Sequence, residues 1–451
     1  MLKLGLCCSF VFPIVRSNIS KVVNFFYYTL VIPVVIYLFL IHSGSQPNLF
    51  PSYGMMLMTL VVILWIPTIY ARYQRGYWSK FPLYSLSLSL LLFFLYMVFS
   101  RQSLLTLFVF FELSLVPIMA ILFIGGSSNK KLEAGLYIFV FTSSSAFIFL
   151  SFLVFSRLSQ HGINHFLLIT ASSYNSPLGR ADLFISVSSI IYNLATIVIL
   201  VKTPLFFVHM WLPKAHVEAP VFASIILARL LLKTGGYGYL ILFMNYFGVL
   251  AQFDYSVCGI LLMAILAAAR CSTQVDIKIL IAYSSVNHIR VILCGIILGL
   301  RSSVLGRVIL MIGHGIISSV LFFLARDSYG QIGTRSSFFS LVLGKSNVNI
   351  LSWLMLTLIN AGLPPFLIFL GETLILKATL MYPFLIFLFL INYILIGYYS
   401  CLILVKLMLS KFPTNVGGLI GVGLTPYMCN TVVIMHFLVL INITINYPWL
   451  R

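Results

Sequence analysis

Acidic residues are almost missing from this chain. Asp and Glu together number 8, against 27 Lys and Arg, and all charged residues make up only 8% of 451 positions. An ordinary soluble domain is charged at about a quarter of its positions. With 61% of residues apolar, no water-soluble core could bury them all behind so thin a polar shell. Lipid is therefore the solvent. The net charge of +19 would suggest nucleic acid in a soluble protein. Here the cations mostly stand singly between apolar runs, which fits anchoring at the membrane interface and contact with lipid headgroups. No basic patch interleaved with aromatics occurs, so no nucleic-acid partner is expected.

Cofactor-binding patterns are lacking too. The cysteines Cys7, Cys8, Cys258, Cys271, Cys294, Cys401 and Cys429 contain no C-x-x-C and no metal-ligand spacing, which argues against iron-sulfur and zinc sites. There is no P-loop and no glycine-rich dinucleotide fingerprint, so nucleotide or redox chemistry would have to reside on other chains. No long Arg- and Ser-rich presequence precedes the first apolar segment. The expectation is insertion where the chain is made, or use of the first helix as the signal.

What the chain has in abundance is apolar runs. Measured against the roughly 20 residues of a spanning helix, spans fall at 2-16, 22-43, 54-71, 81-100, 103-124, 134-157, 183-210, 217-246, 249-271, 277-299, 303-326, 348-380, 384-409 and 420-446. The Ser-, Gly- and Asn-rich tract 158-182 reads as the largest loop of the first half. Two long runs are interrupted by proline, at Lys202-Thr203-Pro204 and at Gly362-Leu363-Pro364-Pro365. Proline removes a helix hydrogen bond and frees a carbonyl. If the fourth to eighth and the ninth to thirteenth spans are two five-helix units, the broken helix is fourth in each, as in transporters built from inverted repeats. The expected fold is thus all-α: a polytopic membrane protein of about 14 transmembrane helices with two inverted five-helix repeats, each containing a broken helix. The divisions are 1-80 for the N-terminal helices, 81-246 and 247-409 for the two repeats, and 410-451 for the C-terminal helix.

Six of the acids lie near span ends or in loops: Glu133, Asp182, Glu218, Asp254, Asp276 and Asp327. Glu112 and Glu372 do not; each stands inside an apolar run and would cost roughly 3 kcal/mol facing lipid. Both must face protein or water. Lys202 and Lys233 are embedded bases, and His209, His216, His288 and His314 are further groups able to exchange a proton. An interior row of such groups, with water beside a broken helix, can relay protons because neighbouring sites couple. The same residues also admit a purely structural use, since an intramembrane ion pair can simply fix helix packing and a lone histidine can be a packing residue. His42, His161, His165 and His436 lie near ends or loops and carry no functional expectation.

The stretch Lys202-Thr-Pro-Leu-Phe-Phe-Val-His-Met-Trp-Leu-Pro-Lys-Ala-His-Val-Glu-Ala-Pro220 resembles the signature of the chain 4 family of NADH:ubiquinone oxidoreductase, respiratory complex I. Further stretches agree in order: Phe111-Glu112 with Pro117, Leu231 to Gly238, Asp276 to His288, Gly313 to Ser319, and Leu363-Pro-Pro365 with Gly371-Glu372. The likeness is strong from about residue 100 to 380 and rests on hydropathy alone outside that range. The sister chains 2 and 5 and the Mrp-type cation/proton antiporters share the architecture.

This resemblance implies a proton-translocating, antiporter-like subunit of the membrane arm, in the mitochondrial inner membrane. Glu112 and Lys202 match the family's glutamate-lysine pair, Lys233 its bridging lysine, His288 and His314 its central histidines, and Glu372 its terminal acid. His209 and His216 are secondary candidates. No cofactor or metal is implied on this chain; FMN, iron-sulfur clusters, NADH and ubiquinone belong to partner subunits. The implied partners are other membrane-arm subunits, including the sister chains 2 and 5, and membrane lipid such as cardiolipin. The alternatives are a cation/proton antiporter subunit without redox coupling and a structural spacer of the arm.

Three departures stand out. Arg229, Arg290 and Arg307 occupy positions where the family usually carries small residues, and each lies within a span. Arg229 precedes Lys233 by four residues, so on a helix the two share a side and repel. Either these arginines have partners in neighbouring subunits or lipid headgroups, or a mitochondrial code reads the nominal arginine codons as small residues. Three unpaired arginines would cost several kcal/mol, which favours the second reading.

Overall fold

A computed structural model describes residues 81–100, 104–125, 130–170, 202–204, 209–245, 253–332, 347–380 and 382–409, with single positions 57, 433, 436, 437, 439 and 440. The described segments are helical. They comprise α1 (Phe81–Ser100), α2 (Leu104–Gly125), α3 (Lys131–Thr170), α4 (Trp211–Glu218), α5 (Val221–Ile226) and α6 (Leu232–Asn245). The second half contains α7 (Phe253–Thr273), α8 (Ile277–Ile297), α9 (Arg301–Ile332), α10 (Asn347–Asn360), α11 (Leu367–Thr379) and α12 (Pro383–Leu409). Six of these runs are long and apolar enough to cross a membrane. The expected spans 2-16, 22-43, 54-71 and 420-446 and the body of 183-210 lie almost wholly outside the described residues, so the count of fourteen and the repeat symmetry remain expectations.

Two expectations need correction. The tract 158-182 was expected to be loop from its start, yet α3 continues to Thr170. Its 40 residues span about 60 Å, roughly twice the hydrocarbon thickness, so the polar part lies beyond the apolar layer, where Ser and Asn are no obstacle to a helix. The span 217-246 is not one regular helix either. A separate helix, α4, ends at Glu218; Pro220, whose ring suits a helix start, opens α5; and α5 joins α6 through a π-turn at Leu227–Leu231.

Many hydroxyl side chains in these helices are satisfied locally. Thr142 Oγ1 donates to Ile138 O at 2.6 Å, Ser285 Oγ to Ala282 O at 2.6 Å and Thr357 Oγ1 to Trp353 O at 2.9 Å, so their hydroxyls are hydrogen-bonded without water. The broadest helix contact, between α9 and α11, is made possible by glycine. A Cβ on Gly306 would stand 2.8 Å from Gly371 O, and one on Gly371 would stand 2.9 Å from Gly306 O. Where no apolar solvent force drives helices together, such close backbone approach supplies the packing.

The helices alternate in direction, because the connections 101–103, 126–130, 274–276 and 298–300 are too short for anything but antiparallel neighbours. One end of the bundle thereby gathers Lys130, Lys131, Lys214, Arg270, Lys278 and Arg326. Contacts tie it together: Lys131 Nζ donates to Phe123 O at 3.0 Å, Lys214 lies 3.8 Å over the Tyr137 ring, and Lys278 Nζ donates to Ala219 O at 3.4 Å. At the opposite end the described helix termini carry Arg301 and Lys377. Among the described residues the cations at helix ends are thus more numerous at the first end.

Candidate functional site

The charged groups singled out in the sequence fall into two clusters, one partly open and one fully buried. Lys202, in the short turn 202–204 before Pro204, pairs with Glu112 of α2 through Nζ and Oε1. The ammonium also lies 4.0 Å over Phe111 and 5.3 Å over Phe108. An aromatic face attracts a cation most where water is excluded. Glu112 keeps 24% of its side-chain surface open, so this pair borders the outside of the described bundle.

The π-turn sets up the next group. Leu232 N–H reaches back five residues to Leu227 O, and the turn brings Ala228 O to Lys233, whose Nζ donates to it at 2.5 Å. Lys233 Nζ is also 2.9 Å from His314 Nδ1 on α9. The His314 ring lies 5.2 Å from the ring of His288 on α8, and His288 Nδ1 is 3.3 Å from Glu372 Oε1 on α11. Lys233, His314, His288 and Glu372 therefore form one row, and none is more than 2% exposed. Glu372 is reached from the turn after α10 as well: a Cβ on Gly362, where φ is +74°, would lie 2.7 Å from Glu372 Oε2. That glycine has two reasons to be one, its left-handed backbone and the carboxylate against it.

Close packing brings the Glu112–Lys202 pair next to the row. A Cβ on Gly235 of α6 would meet Thr203 Cγ2 at 2.7 Å, so the turn bearing Lys202 rests on the helix bearing Lys233. His216 does not join the row. Its ring stacks on Phe322 at 4.7 Å, and neither ring nitrogen has a hydrogen-bond partner among the described residues. His209 packs edge-on against Tyr283 at 5.6 Å. His436, given no role from sequence, is fully buried, and its Nδ1 accepts from Leu367 N–H at 3.4 Å. It satisfies one of the open donors at the start of α11. A histidine near the end of an apolar span gives no sign of this, because the contact crosses 69 residues of sequence.

The three unusual arginines are all enclosed. Arg229 lies in the π-turn at 2% exposure, its charge acts on Lys233, and its Nε has no hydrogen-bond partner among the described residues. Arg290 donates to Met263 O and, at 3.3 Å, to Pro204 O, the carbonyl at the proline break. A small residue would not fill that place. Arg307 is fully buried beside the Gly306–Gly371 crossing. Among the described residues no group of three or more His, Cys, Asp or Glu is arranged to hold a metal ion.

Buried acids and bases side by side are groups able to exchange protons. The matched protein family agrees with that chemistry. A family model described as NADH:quinone oxidoreductase/Mrp antiporter, transmembrane, matches residues 101–397. The chain is 33% identical over 327 residues to NADH-ubiquinone oxidoreductase chain 4 of Ceratitis capitata, covering 71% of this chain and 69% of the relative. It is 34% identical over 323 residues to chain 4 of Artemia franciscana, covering 70% and 77%. Its fold matches a chain of respiratory complex I from Thermus thermophilus solved with bound NADH, with a TM-score of 0.70, 22% identity and coverage of 99% and 96%. The chain belongs to the NADH:quinone oxidoreductase/Mrp antiporter membrane family.

Proposed function

We propose that this chain is the proton-translocating, antiporter-like subunit of a respiratory complex I, in which partner subunits oxidise NADH and reduce ubiquinone while this one moves protons. The observation that carries the proposal is the row Lys233–His314–His288–Glu372, joined through the turn at Thr203 to the Glu112–Lys202 pair. A proton arriving at one end changes the charge of the first group. In a low-dielectric interior that change acts strongly on the next one. Glu112 and Lys202 would set the charge state of Lys233, the histidines would carry the proton between Lys233 and Glu372, and Glu372 would hand it on.

The chain itself carries no redox chemistry in this reading. FMN, the iron-sulfur clusters, NADH and ubiquinone lie on partners, and the site is the mitochondrial inner membrane. The neighbours would be other membrane-arm subunits, including the sister antiporter-like chains 2 and 5, with cardiolipin against the cationic helix ends. The inverted five-helix repeats at 81-246 and 247-409 belong to the same proposal. The test is Glu112→Gln in the assembled complex within sealed vesicles. Acidification driven by NADH should fall while assembly is retained; normal pumping would reduce the pair to a structural contact.

The family also includes Mrp antiporters, which keeps a cation/proton antiporter without redox coupling as the second reading. Copurification separates them: recovery with flavin and iron-sulfur subunits supports the first, and recovery without them the second.

A further inference from the structure

The break between α10 and α11 is shaped by what its residues cannot do. α10 closes in a turn where Gly362 N–H donates to Ile359 O at 3.1 Å and Leu363 N–H reaches back to Leu358 O at 3.3 Å. Gly362 has the left-handed backbone that such a closure needs. The chain then meets Pro364 and Pro365, which have no N–H, and Phe366 N–H goes to Leu363 O. Gly362 O is thus left without a backbone donor among the residues that follow it. Inside a membrane no bulk water is at hand, and an unmet carbonyl is costly there.

The donor comes from another helix. Tyr393, half-buried, is the eleventh residue of α12 and lies about 15 Å from its start, near the middle of the apolar layer. Its Oη donates to Gly362 O at 3.1 Å. The same glycine is one wall of the Glu372 site, since a Cβ on it would stand 2.7 Å from Glu372 Oε2. On the other side Glu372 Oε1 lies 3.3 Å from His288 Nδ1. Neither carboxylate oxygen has a hydrogen bond among the described residues, so packing holds the carboxylate between Gly362 and His288. Whatever fixes Gly362 therefore fixes Glu372. The carboxylate is also within electrostatic reach of the Tyr393 hydroxyl.

We propose that Tyr393 is a positioning residue: its hydroxyl, bonded to Gly362 O, holds the turn after α10 in place and thereby sets the gap between Glu372 and His288. The proposal rests on the proton-translocating reading of the row. Tyr393 exchanges no proton in this role. Without its hydroxyl the Gly362 carbonyl has no donor, the turn is free to move away from α12, and Oε2 loses its fixed wall. Glu372 then no longer stands at one defined distance from the imidazole, and a proton transfer falls off steeply when its two groups are misplaced.

The experiment uses the assembled complex in sealed vesicles and reads NADH-driven acidification together with NADH oxidation. Tyr393→Phe, which removes only the hydroxyl, should lower pumping per NADH oxidised about threefold. Tyr398→Phe on the outer face of the same helix, where the ring is 54% exposed, should pump normally. In a Glu372→Gln background Tyr393→Phe should cost nothing further, because a residue that acts through Glu372 has nothing left to position. A merely structural tyrosine would add its own loss. If Glu372→Gln leaves no pumping to read, infrared spectra decide: the carboxyl band that Glu372→Gln removes should shift in Tyr393→Phe, and an unmoved band overturns the proposal. Tyr393→Gln, which can still donate to Gly362 O, should pump better than Tyr393→Leu, and this pair stays decisive if Tyr393→Phe does not assemble. Normal pumping in Tyr393→Phe, a loss that multiplies with that of Glu372→Gln, or equal losses in the Gln and Leu variants each overturn it. Glu372→Gln separates the levels. If it stops pumping while Tyr393→Phe pumps normally, the row stands and the positioning role falls; if Glu372→Gln itself pumps normally, the underlying reading falls.

Discussion

The two acid–base pairs of this chain differ in kind. Glu112 and Lys202 form a direct ion pair at a partly open position, with the ammonium held over two phenylalanine rings. Glu372 and His288 are sealed in the interior, 3.3 Å apart, and the carboxylate has no hydrogen bond among the described residues. The first pair sets an ammonium directly against a carboxylate, with Glu112 bordering the outside of the described bundle. The second sets an imidazole near a carboxylate, with no hydrogen bond between them among the described residues. The comparison teaches that one pair is a tight ion pair at the edge of the described bundle and the other a looser contact sealed inside it, and in the proposed function the first would set a field and the second hold a travelling proton.

The largest effect is expected from cutting between them. Lys233→Met removes both the bond to Ala228 O and the contact with His314, and NADH-driven acidification should fall about tenfold or more with the complex still assembled. Next comes Glu372→Gln, which fixes the sealed end neutral. Its pumping loss should exceed that of Glu112→Gln, which leaves Lys202 positioned by the aromatic rings; equal losses would erase the distinction. Gly362→Ala should act more weakly. The methyl group demands a left-handed alanine and presses on Glu372 Oε2, so a cost of about 1–2 kcal/mol is expected, read as a lower melting temperature and a partial loss of pumping. The smallest effect is that of His436→Leu, which leaves Leu367 N–H without its acceptor. It should lower stability by about 1 kcal/mol while pumping persists.

Much of the site was legible in the sequence because charge inside an apolar run has few explanations. Glu112, Lys202, Lys233 and Glu372 announced themselves in that way, and the two proline breaks located the irregular backbone. Which of four histidines belong to the row was not legible from hydropathy: His288 and His314 join it, while His216 stacks on Phe322, and family resemblance alone separated them. The π-turn was invisible, since Leu-Ala-Arg-Leu-Leu reads as ordinary helix. So was the end of α3, where polarity reflects depth rather than loop. For the arginines, structure divides what sequence grouped. Arg290 has carbonyl partners at Met263 and Pro204, whereas Arg229 sits against the charge of Lys233. Peptide masses covering 229, 290 and 307 should therefore be read one by one; arginine at 290 with a small residue at 229 would match this division.

The central claim is that both pairs lie on one proton path, and a double-variant cycle tests it most directly. Pumping is measured for Glu112→Gln, Glu372→Gln and the two together in sealed vesicles containing the assembled complex. Groups that act as one unit give losses that do not add. The double variant is expected to pump no more slowly than Glu372→Gln alone. If the two losses multiply instead, the pairs work independently and the single path is contradicted.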